Sequence, residues 1–437
     1  MAAHQGASGG RAGAGGSARQ LGPLSAEAAG DAVSDPVAGQ PTLPVWPVLA
    51  ATTGTLSIAA LSALALSAVA PSAAVDLGAG AGLAGYQVSL VYTGAVATSL
   101  IGGGFVRRLG AGRASQMALW LVALGCLLSA LGSLQMLMLG AVVIGLGYGC
   151  TNPAASHLLS RTRGTAHMNL IFSIKQCGVP IGGILAGLLI PPITLAINWR
   201  AGLAFCALLA FGLSIVLQQA RRAWDADRQP DAPMFLSPLA GLRVVWGYPI
   251  LRWLALCSFA YSAVQLSLTG LLVTYLVNEI GMHLVLAGTL LALAQTAGAA
   301  GRLAWGWLAD RMRSGSKVLI INGAVAIIAA IITAFIQADW PLSLVGAVVV
   351  GFGFSAIGWN GVFIAVIARQ APTANIGLAT GATLSITFAG VVVGPSCFAF
   401  MHDRLGLSYA DGYLLMAFAT LVGVVCMMLA RRGIPLR

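Results

Sequence analysis

Apolar runs of roughly twenty residues, the length that crosses a bilayer core, recur along the chain. They lie at 46–70, 85–106, 115–133, 135–158, 168–194, 199–219, 250–278, 284–309, 317–337, 341–367, 374–401 and 410–430. The runs do not alternate strictly between polar and apolar positions. A backbone in hydrocarbon must satisfy its own hydrogen bonds, and continuous apolar runs do so as helices rather than barrel strands. The pattern therefore predicts an all-α polytopic membrane protein with twelve transmembrane helices. Residues 1–44 are rich in Gly, Ala and Ser with few large apolar side chains, so they are expected to form a disordered tail. The longest internal connection, 220–249, carries Asp225, Asp227, Asp231 and several prolines. It reads as a linker between a six-helix bundle at 45–219 and a second at 250–430, followed by a short terminus at 431–437.

Composition agrees and excludes alternatives. The 437 residues are 58% hydrophobic and 8% charged, with a mean hydropathy of +0.89, whereas soluble domains are about 25% charged. Twelve spans of about 22 residues occupy about 260 positions, which leaves little room for a soluble catalytic domain. The net charge of +11 is spread singly and in pairs, without a basic stripe interleaved with aromatics, so nucleic acid is not an expected partner. Setting aside the tail and the two cations inside spans, seventeen Lys and Arg residues fall on one side of the predicted topology and two, Arg200 and Arg404, on the other. The positive-inside bias then puts both termini in the cytoplasm of a cell bounded by an inner membrane. The seven cysteines lie within apolar segments with no CxxC pair, and are expected to be free.

The halves echo one another, as duplicated transporter bundles do. Gly145-Leu-Gly-Tyr-Gly149 matches Gly351-Phe-Gly-Phe-Ser355, and Gly103-Gly-Phe-Val-Arg-Arg108 matches Gly306-Trp-Leu-Ala-Asp-Arg311. The stretch Gly306 to Lys317, with Ala70-Pro71, Asp76-Leu-Gly78, Asn198-Trp-Arg200 and Gly394-Pro395, resembles the signatures of the major facilitator superfamily over residues 45 to 430. That resemblance implies two six-helix bundles rocking about a central site. It also implies close packing at the signature glycine and a cytoplasmic latch. In the second half Asp310, Arg311 and Lys317 match the latch. In the first half Arg108 and Arg113 match it, while Arg107 stands where the family has Asp. Arg302, two turns before Asp310, reads as part of the same end of its helix.

Lys175 is the most informative single residue. It falls about 10 Å inside the fifth span, where an unpaired cation costs on the order of 3 kcal/mol. Small residues and Pro180 follow it, as they do where helices line a cavity. The alternative is a lysine that snorkels to the surface. No acidic residue falls near the middle of a span, so the lone cation complements an anion rather than a cationic drug. The candidate substrate contacts are Lys175, Gln176, Asn152, Tyr261, Gln265, Gln295, Trp359 and Asn360. Ser258, Tyr261, Gln265 and Thr269 form one polar stripe, and Thr380, Thr383 and Thr387 another. Each hydroxyl could equally bond the carbonyl one turn back. Asn152-Pro153 suggests a kink. His157, one turn on, is the candidate for proton coupling.

These readings favour a secondary transporter of a small organic anion, a carboxylate, working as a monomer in the bilayer with protons as a candidate coupling ion. A drug exporter of the same fold is the alternative. An intramembrane enzyme would need a nucleophile with its base, or a metal cluster, and no such motif occurs. There is no Walker A loop, and no cofactor is expected.

Overall fold

The computed structural model describes residues 43–162, 168–231, 238–371 and 376–432. The expected disordered tail, Arg163 and residues 433–437 lie outside them, apart from Leu43 and Pro44. The first half contains α1 (Val45–Ala65), α2 (Ala70–Leu77), α3 (Leu83–Leu109), α4 (Ala111–Ala130), α5 (Leu134–Ser160), α6 (Met168–Gln176), α7 (Gly178–Ala196) and α8 (Trp199–Leu217). The connection holds α9 (Arg221–Trp224) and α10 (Pro238–Gly247). The second half contains α11 (Pro249–Asn278), α12 (Leu284–Arg311), α13 (Gly315–Ala334), α14 (Leu342–Ala356), α15 (Asn360–Gln370), α16 (Ile376–Leu405) and α17 (Tyr409–Arg432).

Among the described residues, eleven helices are long and apolar enough to cross a membrane. The twelfth rod, α3, has 27 residues, about 40 Å at 1.5 Å per residue. Gly, Ser, Thr and Arg dilute its hydropathy. Two spans are each built from two pieces: α6 and α7 are broken at Cys177, and α14 and α15 at Ile357–Trp359. The fold is thus an all-α bundle pair with twelve spanning rods. Large apolar side chains such as Leu127, Leu208, Phe211, Ile328, Phe335 and Phe418 are exposed, as a lipid-facing surface requires. In contrast, α11 is buried along most of its length, from Leu251 to Leu276.

Within the first half α3 and α4 pack on α5, α4 on α8, and α1 on α7. The second half repeats this with α12 and α13 on α14 and α13 on α17. Glycine sets the close approach in both copies. A Cβ at Gly145 would overlap the Val91 carbonyl oxygen of α3, and one at Gly353 would overlap the Ala294 carbonyl oxygen of α12. The packing equivalent of Gly145 is therefore Gly353. Gly351, its partner by sequence, faces open space.

The halves meet along α3 with α16 and α7 with α12. At the end opposite the arginine-rich one, Gly82 N–H donates to Asp403 Oδ1 at 3.0 Å, and the Tyr409 hydroxyl donates to the Ala81 carbonyl at 3.3 Å. Nearby, a Cβ at Gly85 would meet the Pro395 carbonyl at 2.5 Å. This end of the seam is tightly closed.

The connection, read as a polar linker, is a fastened strap from Ala220 to Gln229. Asp225 Oδ1 accepts from Gly112 N–H (2.7 Å) and Arg113 N–H (3.2 Å) at the start of α4. Asp227 takes His157 Nε2 at 2.6 Å and Arg161 Nη1 at 2.8 Å at the end of α5. Gln229 N–H donates to the Arg107 carbonyl at 2.7 Å at the end of α3. One short segment thus binds three helix ends, through free backbone groups at the ends of α3 and α4 and through side chains at the end of α5.

Candidate functional site

A narrow cavity lies between the halves. Small residues of α1 (Ala60, Ala63) open the space, and Tyr92 of α3, Tyr148 of α5, Gln265 and Thr269 of α11, and Gln295 of α12 supply its polar groups. The Tyr92 and Tyr148 rings lie 5.5 Å apart, and Phe388 of α16 meets Tyr92 edge-on at 5.7 Å. Of the substrate contacts expected from sequence, Gln265 and Gln295 line this cavity, and Trp359 and Asn360 reach it through Gln265. Gln265 Oε1 accepts from both Trp359 Nε1 and Asn360 Nδ2, each at 3.0 Å. The break between α14 and α15 makes this possible, because it turns Trp359 and Asn360 toward α11.

Other candidates sit elsewhere. The Tyr261 hydroxyl donates to the Leu319 carbonyl of α13 at 2.9 Å, and its ring packs edge-on against Trp359 inside the second half. Ser258 and Thr387 bond one another at 2.8 Å and join α11 to α16. Thr383 bonds the carbonyl one turn back at 2.7 Å. Tyr92 and Tyr148 were not singled out by sequence, since an aromatic in a Gly-rich apolar helix reads as core. The signal for Tyr148 is its place in Gly145-Leu-Gly-Tyr-Gly149, where glycines on either side seat α5 against its neighbours.

Two cations lie at the arginine-rich end of this space. Lys175, 2% exposed, reaches Asn152 Oδ1 of α5 and lies 3.4 Å from Gln176 Oε1. An ammonium has three donors, and both partners are neutral amides. Arg302 of α12 sends Nη1 to the Gln176 main-chain carbonyl (2.8 Å) and Nε to the Ile357 carbonyl (3.3 Å). It lies within electrostatic reach of Tyr92 and Tyr148. Gln176 thus sits between the two cations. Among the described residues neither has a carboxylate within 4.0 Å, since the ion pairs present join other groups. The described acidic residues all fall at helix ends or in connections.

At the surface of that end, Arg107, Arg108, Asp310, Arg311 and Lys317 are exposed and Arg113 is half-buried. No ion pair joins Asp310 to Arg311 or Lys317 among the described residues; Arg311 stacks on Trp307 at 5.9 Å. Gly306, the signature glycine, has nothing against it, and close packing falls instead at Gly301, which presses on the Phe354 carbonyl. In the first half, where Arg107 replaces the acid, Asp225 of the strap supplies a carboxylate to the start of α4. Burial outweighs its two N–H donors and raises the Asp225 carboxyl above its ordinary value. Burial also pushes Asp227 up, but His157 and Arg161 outweigh it and hold that carboxyl below the usual range. His157 belongs by these contacts to the strap rather than to the cavity.

Paired helical bundles closed over a polar cavity define a multi-pass membrane transporter. The family model described as Major Facilitator Superfamily matches residues 51–395, and the chain belongs to that superfamily. Solved structures with the same fold include a bacterial homologue of the human lysosomal transporter Spinster, inward-facing and occupied, at TM-score 0.71 and 16% identity, covering 89% of this chain and 97% of that one. Others are a peptide transporter, POT, in complex with sulfate (TM-score 0.69, 15% identity, 90% and 96% covered) and a mutant of the nucleoside transporter NupG (TM-score 0.72, 15% identity, 87% and 99% covered). No curated protein sequence matches the chain.

Proposed function

We propose that the protein is a secondary transporter that moves a small organic anion, a carboxylate, across the inner membrane by alternating access, leaving it chemically unchanged. The observation that carries this reading is the pair of cations, Lys175 and Arg302, at membrane depth with only neutral partners among the described residues. Holding such a charge away from water is costly unless something neutralises it, and an anionic cargo does so each time it binds. The cavity wall, part amide and hydroxyl and part Ala, Leu and Val, suits a carboxylate with a small apolar body rather than a sugar. In this reading Lys175, Gln176, Asn152, Gln265, Gln295, Trp359 and Asn360 form the substrate contacts, and the arginine-rich end faces the cytoplasm.

The test is a melting-temperature screen of the purified monomer against acetate, pyruvate, succinate, benzoate, sulfate, glucose and a lipophilic cation, beside Lys175→Ala. A ligand of the folded state raises its stability by mass action, by about 2.7 kcal/mol at a hundred times Kd. Stabilisation by a carboxylate, lost in the variant, is the expected result. A response confined to the cation would replace the anion reading with that of a drug exporter. In vesicles, uptake accelerated by an inward proton gradient and losing that acceleration in His157→Gln would assign coupling to His157.

A further inference from the structure

Pro180 has no N–H, so the carbonyl four residues before it, that of Gln176, has no donor within its own helix. This is the break between α6 and α7. The carbonyl is taken by Arg302 Nη1 of the opposite half at 2.8 Å. The same guanidinium donates through Nε to Ile357, which lies in the break between α14 and α15. One turn further along α12, Trp305 Nε1 donates to the Phe354 carbonyl at 3.1 Å, steadying the same break. At the far edge of that break, Trp359 and Asn360 hold Gln265 in the cavity wall. A single side chain therefore ties an interruption in one half to an interruption in the other, one end of the tie lying beside Lys175 and the other beside the cavity network.

We infer that Arg302 is a carboxylate-released bolt: it locks the arginine-rich end of the cavity shut by bridging the Gln176 and Ile357 carbonyls, and a substrate carboxylate opens that end by taking over its guanidinium. The release step rests on the anion reading given above, whereas the locking step does not. A carboxylate matches the guanidinium fork with two charged hydrogen bonds and displaces neutral carbonyls. The freed carbonyls at the two breaks then rehydrate as the end opens, so opening leaves no backbone acceptor stranded in a dry interior. A ligand shifts such an equilibrium only through its different affinity for the two states, and here the difference lies in what Arg302 holds.

The experiment places spin labels at Ala223→Cys in the strap and Arg369→Cys at the end of α15, both exposed, in the full chain with its native cysteines replaced. The distance distribution is recorded with and without acetate, pyruvate, succinate and benzoate. Two further variants are included: Arg302→Gln, and Pro180→Ala, which keeps the guanidinium but gives the Gln176 carbonyl a donor of its own. Expected is a shift toward longer distances in both variants without any ligand, the long-distance population rising about tenfold. The same shift is expected in the parent chain with whichever carboxylate raises its melting temperature. An unchanged distribution in both variants overturns the bolt. If a carboxylate raises the melting temperature but leaves the distances unchanged, release is overturned while the anion reading stands. If none of them binds, the anion reading falls, and release with it.

Discussion

Lys175 and Asp227 show how the same physics yields opposite consequences at single residues. Lys175 sits among neutral amides, so its charge adds nothing to the stability of the empty protein. Lys175→Met, which keeps the stem and removes the ammonium, should melt no lower than the parent yet lose its response to carboxylates; a large drop in melting temperature would make Lys175 a structural partner. Asp227, by contrast, is held below its ordinary value by His157 and Arg161. A depressed carboxyl contributes stability that is full above its unfolded value, about 3.9, and is lost as pH falls through the folded one. Asp227→Asn should therefore cost about 2 kcal/mol at pH 7, and the difference between parent and variant should shrink in melting curves as pH falls below the ordinary carboxylate value of about 3.9. Residue spacing set Gln265 on a polar stripe and the sequence named Trp359 and Asn360 separately; their shared bonding to Gln265 is a contact between distant spans that spacing does not carry. Tyr261 shares the stripe, but the stripe does not say whether a residue at its edge meets the cavity or, as here, the Leu319 carbonyl of its own half.

The spanning elements were readable because the bilayer dictates their length, and the breaks were half readable. Pro180 marks the one at Cys177, but the interruption at Ile357–Trp359 contains no proline. It depends on Arg302 and Trp305 of another helix holding its carbonyls, a long-range contact that a local pattern does not carry. The strap was hidden for the same reason: acidic residues and prolines look like a loose linker until the helix ends they serve are known. Two predictions belong to this scale. Asp225→Ala should lower stability by about 1 kcal/mol through loss of a helix-start acceptor. Asp225→Asn, which keeps an oxygen for Gly112 and Arg113 without a buried charge, should not; paired melting curves compare them. Gly145→Ala should cost about 1–3 kcal/mol or more, since its methyl meets the Val91 carbonyl, whereas Gly351→Ala, facing open space, should be tolerated in the same assay.

For the molecule as a whole, the seam is closed by glycine packing and by Asp403 and Tyr409 at one end, and bridged by Arg302 at the other. The cavity with its cations lies between. Alternating access in such a body is a trade between the two closures, and a cargo that neutralises the cations lowers the cost of crossing the dry interior. The superfamily was legible from its loop signature, although that signature does not pack here as its glycine suggests. An anionic cargo is proposed on the absence of acidic residues from the described span interiors more than on any motif. The most direct measurement is flux of a radiolabelled short carboxylate into proteoliposomes holding the full chain, with Lys175→Met and Arg302→Gln alongside. Saturable uptake by the parent, abolished by Lys175→Met and altered by Arg302→Gln, is the predicted result. Carboxylate uptake no faster than in empty liposomes, alongside saturable movement of a lipophilic cation, would contradict the account.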